Sequence, residues 1–111
     1  MWPMSSAFAA ALANIFVAVA IAAAADMPGD AESGRRIARE TCSVCHSTGD
    51  APARLASDAV PTFVSLANDP IVTPIYVRAF LQTPHARMPN LMLTNREIDD
   101  IISYLQTLKR K

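Results

Sequence analysis

The sequence predicts an all-α domain of three to four helices preceded by an apolar leader. Three observations carry this expectation. No segment alternates apolar and polar residues as a half-buried strand would. Three segments have apolar residues at helical spacing just after an Asp or Thr suited to cap a helix. Proline and glycine punctuate the stretches between them. A chain of 111 residues builds one core at most.

The first helix is predicted from Ala31, capped by Asp30 after the turn-forming "DMPGD", and it runs into the segment "TCSVCHSTG". Gly34, Ile37, Ala38 and Thr41 fall on one side of it, a face of small residues. From Ser47 to Pro61 a polar loop follows, with Leu55 and Val60 expected to dip inward. A short helical turn around "TFVSLAND" should bury Phe63 and Leu66. Thr73 and Pro74 then start another helix, with Ile75, Tyr76, Ala79 and Phe80 expected on its inner face and Thr83-Pro84 as its stop. After the loop "PHARMPNLML", Thr94 and Glu97 form a capping box for a last helix. Its apolar residues are Ile98, Ile101, Ile102, Leu105 and Leu108. Lys109, Arg110 and Lys111 stand where the negative end of that helix favours cations.

Residues 1–25 carry no charged side chain, and Ala23 and Ala25 satisfy a small-x-small cleavage pattern before Asp26. They read as a secretory signal peptide that leaves residues 26–111 as an exported, periplasmic, soluble domain. Met1 to Ser6 contain no Lys or Arg, and the run is also long enough to span a bilayer, so an uncleaved membrane anchor stays open. Trp2 belongs to the leader. All ten acidic and all ten basic residues lie after Ala25, so the domain is formally neutral, which argues against binding nucleic acid or an anionic surface.

Cys42, Cys45 and His46 spell C-x-x-C-H, and the chain has no other cysteine. That spacing suits haem. Two thiols three positions apart at a helix end can form thioethers with the two vinyl groups, and the next side chain offers an imidazole to the iron. Rival uses are a plain disulfide, which leaves His46 without a role, and a thioredoxin-like redox pair, which wants a βαβ setting. Zinc held by Cys42, Cys45, His46 and His85 is a third, without the usual paired spacing.

From Gly34 to Leu108 the chain resembles the small class I c-type cytochromes. The likeness rests on Gly34 eight positions before the first cysteine, "CSVCH", a middle helix, a Met-Pro loop, and a last helix carrying Ile101 and Tyr104. It implies a cytochrome c-like fold packed around one covalently bound haem c, with the first and last helices crossing closely at Gly34, Ile101 and Tyr104. Ala38 stands where an aromatic residue is common in that family, which should loosen the crossing.

The resemblance also implies the axial ligands of the iron, His46 on one side and Met88 of "RMPN" on the other. Pro84 and Pro89 stiffen the loop that carries Met88. His85, an imidazole three residues away, is the competing ligand, and Met92 is expected to fill apolar space. Arg54, Arg78 and Arg87 are candidate partners of the haem propionates, and Tyr76 and Tyr104 are expected core aromatics. With both axial places taken, the implied role is a one-electron carrier, without catalysis, serving redox partner proteins as donor and acceptor. Its only lysines are Lys109 and Lys111, so docking should use apolar contact around the haem edge. Two alternative roles fit the same residues: a five-coordinate haem enzyme or gas sensor, and a haem subunit of a periplasmic dehydrogenase.

Overall fold

A computed structural model of the chain describes residues 28–83 and 87–111. The leader with Trp2, and His85 with its two neighbours, lie outside the described residues. Four α-helices appear: α1 (Ala31–Thr41), α2 (Phe63–Asn68), α3 (Pro74–Gln82) and α4 (Asn95–Thr107). A 3₁₀ turn, Cys42–Val44, continues α1, and no strand occurs among the described residues.

The caps form where the sequence puts them. Asp30 accepts from the Ser33 N–H, Thr73 from Tyr76 N–H and Thr94 from Glu97 N–H, and the Glu97 carboxylate returns the bond to Thr94 N–H in a complete capping box. These bonds hold the carboxyls of Asp30 and Glu97 below their ordinary values of 3.8 and 4.5. The bond from the Ser33 backbone is the largest cause for Asp30, and that from the Thr94 backbone for Glu97.

The centre of the fold is the crossing of α1 and α4. Gly34 is buried at the contact, and a Cβ there would lie 1.9 Å from the Asp100 carbonyl oxygen and 2.9 Å from Tyr104 Cβ. Gly29, just before α1, meets the same stretch: its Cβ would lie 2.1 Å from the Asp99 carbonyl carbon. The two backbones therefore touch without side chains between them. Asp100, itself buried, accepts the Asp30 N–H at 2.7 Å and ties the start of α1 to the middle of α4. Ile37, Ala38, Cys42, Phe63, Ala67, Ile101, Tyr104 and Leu105 form the buried cluster around this crossing.

Ala38 is fully buried, and the close approach of the helices persists without an aromatic ring on α1. Ring volume in the cluster comes instead from Phe63 on α2 and Tyr104 on α4, whose centroids are 6.3 Å apart. Leu66 is only partly buried, and Ala67 takes the inner position beside Phe63. At the far end, Asn68 of α2 donates to the Leu108 carbonyl at 3.1 Å and accepts from Arg110 N–H at 2.8 Å, which terminates α4.

The expectations for Leu55 and for the inner face of α3 fail, each for an identifiable reason. Leu55 is exposed because its own N–H and that of Arg54 pair with the carbonyls of Val44 and Ser43 at 2.8 Å. Those bonds fix the loop alongside the 3₁₀ turn with the Leu55 side chain outward. On α3 no residue is buried: Val77 and Leu81 pack against the core, while Ile75 is 81% exposed, Tyr76 45% and Phe80 40%. Apolar residues cover more of this helix than one contact can use, so periodicity did not single out the inner edge. Tyr76 is thus no core residue; it stacks on Phe80, ring centroids 6.0 Å apart.

Gly34→Ala should force the α1 and α4 backbones apart and cost on the order of 2–3 kcal/mol, the range seen for overpacked sites. A thermal melt should show the midpoint falling by roughly 10 °C or more; an unchanged midpoint would contradict the contact at Asp100. The caps predict a pH dependence. Lowered carboxyl pKa values mean that the stability contributed by Asp30 and Glu97 is complete above their ordinary values and is lost as pH falls through the lower folded ones. Acid titration should therefore show Asp30→Asn and Glu97→Gln removing part of the stability loss below about pH 4.

Candidate functional site

The C-x-x-C-H segment is built as one tight turn at the end of α1. The Cys45 and His46 N–H groups both donate to the Cys42 carbonyl, at 3.1 and 2.8 Å, so the chain coils on past the helix and places the three side chains on consecutive steps. Ser43 Oγ donates back to the Arg39 carbonyl at 2.5 Å and secures the join. Both cysteines are free thiols, so the disulfide reading does not describe this structure. Cys42 is buried and its thiol is pushed up to about 11 by desolvation, whereas Cys45 is half-buried.

His46 is oriented from two sides. Its Nδ1 lies 2.6 Å from the Pro61 carbonyl oxygen. A carbonyl only accepts, so Nδ1 carries the proton in this contact, and Nε2 is the nitrogen left free for a metal in the neutral ring. Phe63 meets the imidazole edge-on, centroids 5.6 Å apart, and the Phe63 N–H donates to the Ser47 carbonyl at 2.8 Å. The start of α2 is thereby bound to the residue after His46. Pro61 was legible in the sequence only as punctuation, since a backbone carbonyl leaves no mark on residue type. The signal available was its position directly before the cap of α2.

The turn is also pinned from behind. Tyr104 of α4 donates its hydroxyl to the Thr48 carbonyl at 2.5 Å, with Thr48 fully buried. Burial raises the Tyr104 pKa and keeps the phenol a donor.

Met88 lies in the long connection from α3 to α4. It is half-buried beside a small cleft with Leu81, Thr83, Pro89, Asn90, Leu91 and Leu93. Leu81 and Leu93 also pack against the cluster that contains Cys42 and Phe63, so the Met88 loop and the cysteine turn border one apolar core. Met92 does not fill apolar space. It is 85% exposed, at φ 51° in the left-handed region, with its N–H donated to Asn90 Oδ1 at 3.0 Å. Leu91 and Leu93 turn inward and Met92 between them turns out. Of the three arginines, Arg78 is engaged with Asp99, and Arg54 and Arg87 are exposed. Among the described residues no group of three or more His, Cys, Asp or Glu side chains is placed to hold a metal ion, and His85, the fourth zinc ligand considered, lies outside them.

The donor set fits haem c. Two unbridged thiols and an imidazole with a free Nε2 stand beside apolar side chains of α2, α3 and the Met88 loop. A family model described as cytochrome c oxidase, cbb3-type, subunit III matches residues 29–105. The chain belongs to the c-type cytochromes. Among relatives of this cytochrome, cytochrome c-552 of Bradyrhizobium diazoefficiens is 33% identical over 95 residues, which cover 86% of this chain and 90% of that protein. No solved structure matches. Membership brings with it covalently bound haem c and a place in electron transport. No described helix of the cytochrome is long and apolar enough to cross a membrane.

Tyr104→Phe should leave the Thr48 carbonyl buried and unpaired, at a cost of about 1–3 kcal/mol. Chemical denaturation should show that loss with the haem content unchanged; equal stability would mean the bond is replaced by another donor.

Proposed function

We propose that this cytochrome is an exported one-electron carrier. In this reading Cys42 and Cys45 would hold the haem through thioethers, and His46 Nε2 and Met88 Sδ would be the residues that bind its iron. The observation that carries the proposal is the His46–Pro61 contact: one ring nitrogen is committed to a backbone carbonyl 15 residues away, which leaves the other as a directed donor. The bound group supplies an iron that gains and loses one electron.

The chain's own residues do the rest. Proton donation from His46 Nδ1 to Pro61 fixes the tautomer and the ring plane and makes Nε2 a stronger donor. Met88 offers a soft, uncharged sulfur from a loop stiffened by Pro89, and such a ligand raises the reduction potential relative to a second His. Val77, Leu81 and Leu93 keep water from the interior, and the exposed aromatic pair Tyr76–Phe80 extends the apolar surface outward. If His46 and Met88 both hold the iron, no position would remain for a substrate, which favours electron transfer over catalysis. Partners are redox proteins that meet an apolar surface, since Arg35, Arg36 and Arg78 are each engaged by carboxylates of the chain itself. Residues 1–25 act as a signal peptide, and the exported form begins at Asp26.

Intact mass and spectrum of the exported protein test the proposal together. The expected mass is that of residues 26–111 plus one haem, and either Cys42→Ala or Cys45→Ala should remove one thioether. The ferric protein should show the weak band at the red end of the visible spectrum that methionine ligation gives. Met88→Ala should abolish it and lower the potential by on the order of 0.1 V or more, within the ~0.8 V that axial ligands span. A band that survives Met88→Ala, or is absent from the unaltered protein, rules out Met88 as the ligand.

A further inference from the structure

We infer that α3 and α4 are joined by a two-rung polar clasp at the base of the Met88 loop, and that Arg78 and Asp99 are positioning residues for Met88. The inference rests on the proposed ligation by Met88. Gln82 is the last residue of α3 and Asn95 the first of α4, and Gln82 Nε2 donates to Asn95 Oδ1 at 2.9 Å. Four residues back on α3 and four residues on along α4, Arg78 and Asp99 form an ion pair. Four residues are close to one helical turn, so the two rungs lie one above the other between antiparallel helices. The segment they close off, Thr83 to Thr94, contains Met88 and no described helix.

The clasp matters because α3 is attached to the core at its surface only. No residue of that helix is buried, and its apolar attachment is the partly buried pair Val77 and Leu81. Arg78 and Asp99 are the more sheltered rung, their side chains 35% and 21% exposed, while Gln82 and Asn95 are in the open. Separation of α3 from α4 would release the near end of the loop and with it Met88. The Arg78–Asp99 pair thus sets how often the ligand loop opens without itself touching the ligand.

The test uses ferric holoprotein and imidazole, which binds the iron only when the distal side opens. Arg78→Ala and Asp99→Ala should each raise the rate of imidazole binding about fivefold, the upper end for a partly exposed ion pair. The double variant should be no faster than the faster single one, since the two side chains act as a unit. Glu32→Ala, which cuts an exposed ion pair with Arg35 on α1, serves as the control and should leave the rate unchanged. Amide hydrogen exchange at Leu91 to Leu93 should quicken in the same variants. Rates and exchange equal to the unaltered protein, rises matched by the control, or single effects that multiply in the double variant would overturn the clasp. If the unaltered protein binds imidazole as fast as Met88→Ala, Met88 is not the ligand and the functional reading fails instead; amide exchange then decides the clasp alone. Should an alanine variant not fold, Arg78→Lys, which keeps the charge and loses the planar fork, should give a smaller rise read in the same way.

Discussion

Backbone contact between α1 and α4 is the constraint on which the remainder depends. With Gly34 against the Asp100 carbonyl, α1 lies on α4 at a distance that any side chain would prevent. Its register is then fixed from both ends, by Asp100 accepting from Asp30 and by Tyr104 reaching Thr48. The cysteine turn has no freedom left, since it begins where α1 stops and is fastened just beyond His46. A single small residue on the first helix thereby determines where the thiols and the imidazole stand relative to the core.

The site is assembled from main-chain groups as much as from side chains. His46 takes its orientation from the Pro61 carbonyl, the loop at Arg54 and Leu55 is bound to the carbonyls of Ser43 and Val44, and Phe63 is bound to that of Ser47. Such bonds are insensitive to which side chains surround them, so the loop from Ser47 to Pro61 can be polar and largely exposed while still holding an imidazole in place.

That division explains which parts were legible in the sequence. Caps at Asp30, Thr73 and Thr94 announce themselves because side chains make them, and the apolar spacing of α4 picks out Ile98, Ile101, Ile102 and Leu105 as buried, though not Asp100 and Ser103 beside them. The C-x-x-C-H segment was equally plain, and so was Gly34. The inner edge of α3 was not, because Tyr76, Val77, Phe80 and Leu81 form one broad stripe and only tertiary packing selects Val77 and Leu81 from it. Leu55 and Met92 were misplaced for a related reason: their directions are set by backbone hydrogen bonds rather than by their own hydrophobicity. The Pro61 carbonyl and the hold of Asn68 on the end of α4 had no pattern that a reading by residue type could catch.

The joining of the first helix to the last has a consequence for biosynthesis. Until α4 is made, α1 lacks the surface it crosses, because the atoms that complete the crossing belong to Asp100 and Tyr104. A nascent chain of this kind stays open at this crossing until α4 has been made, since closing so long a loop is repaid only when both sides exist. Its thiols stay within reach of any enzyme that must act on them throughout that interval.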